Sequence, residues 1–84
     1  MDTYIGEDGL TKTWQADFPK ETECVHCKDK ARIGFVAHES GDEGKFVCNL
    51  HENKKDEMWL HDVCAVAVYF CKKCLNTTAL YNQG

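Results

Sequence analysis

The sequence predicts a small zinc-stabilised α+β domain, centred on a β-hairpin and containing little regular helix. The chain is 84 residues long and contains six cysteines and four histidines, and eight of these ten residues form closely spaced pairs. A chain of this length buries only about 60% of the surface that it exposes when unfolded, so its apolar core alone is marginal. Bound metal ions are a common additional source of stability at this size.

Four Cys/His pairs have two residues between their members, which is a spacing that tetrahedral zinc sites favour. Random placement of ten such residues would give about one pair of this kind. The eight candidate ligands are Cys24, Cys27, Cys48, His51, His61, Cys64, Cys71 and Cys74. The pattern favours two Zn²⁺ ions, and one ion held by the four cysteines of the outer pairs is the alternative. His26 and His38 fall outside the pairs and are expected to be ordinary histidines.

The chain divides into an N-terminal arm (1–23), a zinc-binding domain (24–74) and a C-terminal tail (75–84) that packs on the domain or trails from it. Within the arm, the weak alternation of Thr11 to Phe18 predicts a short strand before Pro19. The tail could form one helical turn or a strand.

A β-hairpin is predicted after the first cysteine pair. Residues 31–38 are rich in β-formers, residues 40–44 have turn composition, and residues 45–50 resume the strand pattern. The returning strand would present Cys48 and His51 at its end. The acidic residues expected to face solvent in the turn are Glu39, Asp42 and Glu43.

The apolar run 65–70 joins the last two ligand pairs, and its composition does not decide between strand and helix. If extended, it separates these pairs by about 20 Å, which is too far for one metal ion. Two pairing schemes remain: a nested one, which joins the first pair to the fourth, and a cross-brace, which joins the first to the third. The residues predicted to form the core are Ile33, Phe35, Phe46, Val47, Leu50, Val66, Val68 and Phe70.

The order of the ligand pairs over 24–74 resembles the cross-brace, treble-clef modules of the PHD finger and RING families. The phrases MWLHDVC (58–64) and YFCKKC (69–74) are similar to the PHD pattern, which has an aromatic residue shortly before each of these pairs. The resemblance implies two shared sites. One zinc would be held by Cys24, Cys27, His61 and Cys64, and the other by Cys48, His51, Cys71 and Cys74.

The charge balance favours a protein or basic peptide as the partner. The net charge of −4 gives no global attraction to nucleic acids or anionic membranes. The arm aromatics Tyr4, Trp14 and Phe18, together with the acidic turn, could receive such a peptide. The N-terminus has no secretory signature, so we expect a reducing compartment, either cytoplasm or nucleus, in which close cysteine pairs bind zinc more often than they form disulfides.

These observations predict a non-catalytic zinc-binding interaction module, because Cys/His sites without an open position serve structure rather than hydrolysis. One alternative is a zinc ribbon with a single four-cysteine site, acting in nucleic-acid, transcription or translation machinery. A RING-like ubiquitin ligase is another, although Lys72 occupies the position of the proline that RING modules have. A rubredoxin-type iron site is disfavoured because Lys28 and Leu75 stand where such sites usually have glycine.

Overall fold

An antiparallel five-stranded sheet dominates the protein, for which we use a computed structural model that describes residues 1–40, 44–50 and 63–83. The strands are β1 (Asp2–Ile5), β2 (Glu21–Glu23), β3 (Lys30–His38), β4 (Cys64–Cys71) and β5 (Thr77–Gln83). Their order is β1-β3-β4-β5, and β2 pairs with β3 on the same edge as β1. The sheet therefore includes strands from both terminal segments.

Helix is scarce, as the sequence predicts. The described ranges contain two 3₁₀ helices of four residues each, Gly6–Gly9 and Val47–Leu50, and no α-helix. Neither of these helices has the length and apolar character needed to cross a bilayer. The described part is thus a β domain, and the zinc-stabilised domain class is confirmed only in its small size, its β content and its cysteine cluster.

The first strand of the predicted hairpin is confirmed, and its predicted partner strand is wrong. β3 forms where expected, but its partner is β4 rather than residues 45–50. Local hydrogen bonds explain the difference, because the Phe46 amide donates to the Asn49 side chain and the Asn49 amide donates to the Phe46 carbonyl, each over 3.0 Å. An asparagine that bonds nearby backbone in this way competes with strand pairing.

β4 is a central strand, so the apolar run that joins the last two ligand pairs is extended. β4 pairs with β3 from Ala65 to Cys71, with a register shift between Ile33 and Phe35, and it pairs with β5 on its other side. A strand with neighbours on both sides satisfies all its backbone groups, which suits the β-branched and aromatic residues of this run. The C-terminal tail forms β5, which was one of its two predicted conformations.

The arm crosses one face of the sheet as a series of turns, and the short strand predicted from Thr11 to Phe18 is wrong. The Lys12 amide donates to the Gly9 carbonyl at 3.0 Å, and the Phe18 amide donates to the Leu10 carbonyl at the same distance. At the end of this segment the Tyr69 hydroxyl donates to the Pro19 carbonyl at 2.6 Å. The first two bonds fold the arm on itself, and the bond from Tyr69 holds it against the sheet.

The core lies between the arm and this face of the sheet. Alternate residues of β4 (Ala65, Ala67 and Tyr69) are fully buried and are joined by Phe18 of the arm. Side chains alternate between faces along a strand, so the other face holds residues that were predicted to be core: Val66 and Val68 are half-buried and Phe70 is 47% exposed. Leu50, also predicted to be core, is 81% exposed.

Gly9 lets the arm approach the sheet. A Cβ atom at this position would lie 2.6 Å from the Cβ of Val36 and 3.1 Å from the Cβ of Tyr4. These Cβ atoms are attached directly to strand backbones, so neither can move unless its strand moves. We therefore expect Gly9→Ala to lower the free energy of unfolding by about 1–3 kcal/mol through overpacking.

Urea denaturation in excess zinc would measure this loss, with Gly44→Ala as the control. Gly44 has no atom near its Cβ position, so its substitution should change stability by less than about 0.5 kcal/mol. Equal stability of the two variants would contradict close packing at Gly9.

Candidate metal centre

Two short loops with the same backbone geometry form the candidate metal centre. The first knuckle (24–29) leads into β3, and the second knuckle (71–76) follows β4. In the first, the Cys24 amide donates to the Asp29 carbonyl at 2.7 Å and the Lys28 amide donates to the Cys24 carbonyl at 3.0 Å. In the second, Cys71 takes the place of Cys24, and the corresponding distances are 3.0 Å and 2.9 Å.

The knuckles bring the two outer cysteine pairs together. The sulfur atoms of Cys24, Cys27, Cys71 and Cys74 all lie within 4.8 Å of one another; we call this group the four-cysteine cluster. The closest Sγ to Sγ distances between knuckles are 3.6 Å (Cys24 to Cys74) and 3.5 Å (Cys27 to Cys71). A disulfide would need about 2.05 Å, and none of the six cysteines is in one.

The residue after each Cys-x-x-Cys pair has a left-handed backbone. Lys28 has a φ of 68° and Leu75 a φ of 60°, in the region that glycine adopts without strain. The missing glycines, which disfavoured a rubredoxin-type site, therefore do not prevent this knuckle geometry. The two side chains are exposed, so the conformation is imposed by the hydrogen bonds of the knuckles.

Backbone amides and neighbouring thiols set the protonation of the cluster. The amides of Cys27 and His26 lower the pKa of Cys24 to about 6. The side-chain and backbone N–H groups of Asn76 lower the pKa of Cys74. The Asp29 amide also favours the Cys27 thiolate, but burial and the adjacent thiols raise the pKa of Cys27 to about 12. Metal binding must therefore release protons at neutral pH.

The cluster fits a tetrahedral metal ion. Four thiolates at the usual Zn–S distance of about 2.3 Å place their sulfurs about 3.8 Å apart, close to the distances found here. Cys24 and Cys71 are buried, while Cys27 and Cys74 are half-buried. Two further contacts support the ligands: the Val25 amide donates to the buried Thr78 hydroxyl at 3.1 Å, and Lys73 lies 3.7 Å from Asp29 across the knuckles.

The cross-brace pairing implied by the PHD and RING resemblance is wrong for these cysteines. It divides the four-cysteine cluster between two ions, whereas the structure brings the first and fourth pairs together, as in the nested scheme. The physical reason is the register of the sheet, because Ala31 pairs with Cys71 and so places the knuckles side by side.

Cys48 and Cys64 are described by the structure and do not belong to the four-cysteine cluster. Cys64 is buried at the start of β4 and Cys48 is half-buried in the second 3₁₀ helix. His51 and His61 lie outside the described residues, so their role as ligands stays a prediction. The aromatic Trp59 of the PHD-like phrase also lies outside them. His26 is exposed, and the ring of His38 stacks on Trp14 with centroids 4.3 Å apart.

Sequence reasoning missed one residue near Cys48 and Cys64, which we call the inner cysteines. Glu39, predicted to be a solvated turn residue, is only 2% exposed. Its carboxylate accepts the Cys64 amide at 2.9 Å and the Val47 amide at 3.2 Å. No local sequence signal identifies it, since an acidic residue beside a glycine-rich turn is usually exposed.

Comparisons of the chain with protein-family models, with curated proteins and with solved structures found no match. The fold and the site together define a small β domain with a four-cysteine cluster suited to a metal ion.

Leu75→Gly tests the knuckle backbone. The left-handed conformation costs a non-glycine residue about 1–2 kcal/mol, and the side chain of Leu75 is 84% exposed. Glycine should relieve this cost, although it also gains freedom in the unfolded chain. We expect the metal-bound variant to unfold at a higher urea concentration, with a gain of about 0.5–1 kcal/mol.

Lys72→Gly is the matched control, because Lys72 is exposed in the same knuckle and does not have a positive φ. It should lower stability by about 0.5–1 kcal/mol. If both variants lost stability alike, the left-handed backbone at Leu75 would be refuted.

Proposed function

We propose that this chain is a non-catalytic interaction module whose fold depends on one Zn²⁺ ion in the four-cysteine cluster. The observation that carries the proposal is the convergence of four sulfur atoms from two equivalent knuckles. Four thiolates complete a tetrahedral zinc shell and leave no position for the water that a hydrolytic zinc requires. The ion therefore serves structure rather than catalysis.

Zinc joins parts of the chain that are far apart in sequence. One knuckle precedes β3 and the other follows β4, so coordination closes the sheet at this end. Structural zinc sites in small peptides contribute about 10–16 kcal/mol at neutral pH. The small core, in which alanines occupy several central positions, makes such a contribution necessary for stable folding.

Removal of zinc should unfold the domain. We expect native mass spectrometry to detect zinc in the purified protein, and we expect circular dichroism and proton spectra to lose their native features after prolonged chelation. Cys74→Ser should lose the ion of the four-cysteine cluster and most of the stability.

Cys48→Ser is the control, since Cys48 does not belong to the cluster and its loss should leave the ion there in place. A metal-free protein that keeps its native spectrum would contradict the proposal. A coloured, iron-loaded preparation would contradict the choice of zinc, because four thiolates also suit iron.

The partner that we propose is a basic peptide segment bound beside Trp14. Residues 1–19 contain four acidic residues and a single lysine, so their charge complements a basic segment. The Trp14 side chain is 42% exposed, and an exposed indole face attracts lysine and arginine. Two groups of the surface predicted from sequence are unavailable, because Phe18 and Glu39 are buried.

Binding of a lysine- and arginine-rich peptide tests this surface. Trp14→Ala should weaken binding about 2- to 5-fold through the loss of a cation–π contact, as measured by fluorescence anisotropy of a labelled peptide. Leu75→Ala, which removes an exposed apolar side chain at the knuckles, should have no effect. Equal affinities of the two variants would exclude Trp14 from the binding surface.

Nucleic-acid binding at the knuckles is the second candidate. A shallow cavity of about 240 Å³ is lined there by four basic and two acidic residues: Glu21, Asp29, Lys30, Arg32, Lys72 and Lys73. The local excess of positive charge could contact phosphates. Binding of a labelled oligonucleotide that weakens steeply with salt and with Lys72→Glu would favour this function over the peptide.

We expect the protein to act in the cytoplasm or nucleus. Its function depends on four thiols that remain available to a metal ion, and reducing compartments preserve such thiols. Thiol alkylation of the protein in intact and lysed cells would test this expectation, and a disulfide within the four-cysteine cluster in cells would contradict it.

A further inference from the structure

The end of β4 that is remote from the four-cysteine cluster carries a second group of metal-binding side chains. Cys64 begins β4 and Cys71 ends it, and seven extended residues separate their Cα atoms by about 23 Å. An odd separation also directs the two side chains to opposite faces of the sheet. Cys64 therefore cannot reach an ion in the cluster.

Glu39 links the backbone of Cys64 to that of Val47, the residue before Cys48. One carboxylate oxygen accepts the amide of Cys64 itself, and the other accepts the amide of Val47, the residue before Cys48. The Glu39 amide in turn donates to the Cys64 carbonyl at 2.9 Å. A single side chain thus fixes the backbone at both cysteines, although 15 residues lie between them in the sequence.

Two oxygen-bearing side chains, Tyr81 and Glu39, lie beside Cys64. The Tyr81 hydroxyl lies 3.7 Å from the Cys64 sulfur, and Glu39 is buried. A thiol, a phenol hydroxyl and a buried carboxyl group therefore lie close together at this end of the sheet.

We propose that Cys48 and Cys64 bind a second divalent ion of the zinc class, and that Glu39 is a positioning residue that holds both thiols at this site. Binding forms two metal–thiolate bonds and releases the two thiol protons to solvent. The predicted partners His51 and His61 lie outside the described residues, so we base the proposal on Cys48, Cys64 and Glu39.

Two thiolates indicate a soft or borderline ion. Sulfur ligands select zinc over magnesium or calcium, which prefer oxygen. Glu39 acts on the ligands through backbone hydrogen bonds rather than by binding the ion, and hydrogen bonds that orient ligands typically alter metal affinity by about 10- to 100-fold. This site is additional to the ion of the proposed function, which involves neither inner cysteine.

Zinc titration monitored by native mass spectrometry tests the proposal on the full chain. The wild-type protein should bind two zinc ions and Cys48→Ser one. Glu39→Gln loses one carboxylate acceptor and should weaken the binding of the second ion about 10-fold or more, while the first ion stays bound. Glu21→Gln, a substitution at an exposed glutamate, is the control and should retain both ions.

Alkylation gives an independent measurement. Cys48 is half-buried, so zinc should protect it from iodoacetamide in the wild-type protein and less in Glu39→Gln. A single zinc in the wild-type protein, two ions in Cys48→Ser, or a disulfide between Cys48 and Cys64 in the zinc-loaded protein would overturn the second site. Cys74→Ser tests only the ion of the four-cysteine cluster, and Cys48→Ser tests only the second ion. The two variants therefore show which of the two proposed sites is wrong.

Discussion

The antiparallel pairing of β3 with β4 is the constraint on which the rest of the structure depends. At one end of this ladder Ala31 pairs with Cys71, which places the two knuckles side by side. At the other end His38 pairs with Ala65, which places Glu39 next to Cys64. The pairing of these two strands, with its register shift between Ile33 and Phe35, therefore positions both groups of cysteines. A slip of β4 by one residue would turn its side chains to the other face.

This arrangement explains how so small a core can support a sheet. Alanines on the buried face allow the arm to pack closely, but they remove little apolar surface from water. The zinc ion that we propose at the knuckles would add a strong link between segments that are more than 40 residues apart. The sheet aligns the ligands, and the ion in turn would hold the sheet closed.

The arm and the knuckles have different roles in our proposals. The arm covers one face of the sheet and exposes Trp14, while the knuckles contribute Lys72 and Lys73, two of the four basic side chains around the cavity. Peptide binding and metal binding are therefore placed in different parts of the molecule. The left-handed backbone at Lys28 and Leu75 shows that the knuckle hydrogen bonds outweigh the preference of these residue types for other conformations.

The sequence alone determined the types and spacing of the candidate ligands, the extent of β3 and the scarcity of helix, because these depend on local chemistry and periodicity. It left open which pairs share an ion, since spacing along the chain does not define distance in space. Only the tertiary structure decided that the first and fourth pairs converge, that Glu39 is buried, and that Ala65 rather than Val66 faces the core. Each of these depends on strand partner and register, which are set by contacts between distant residues.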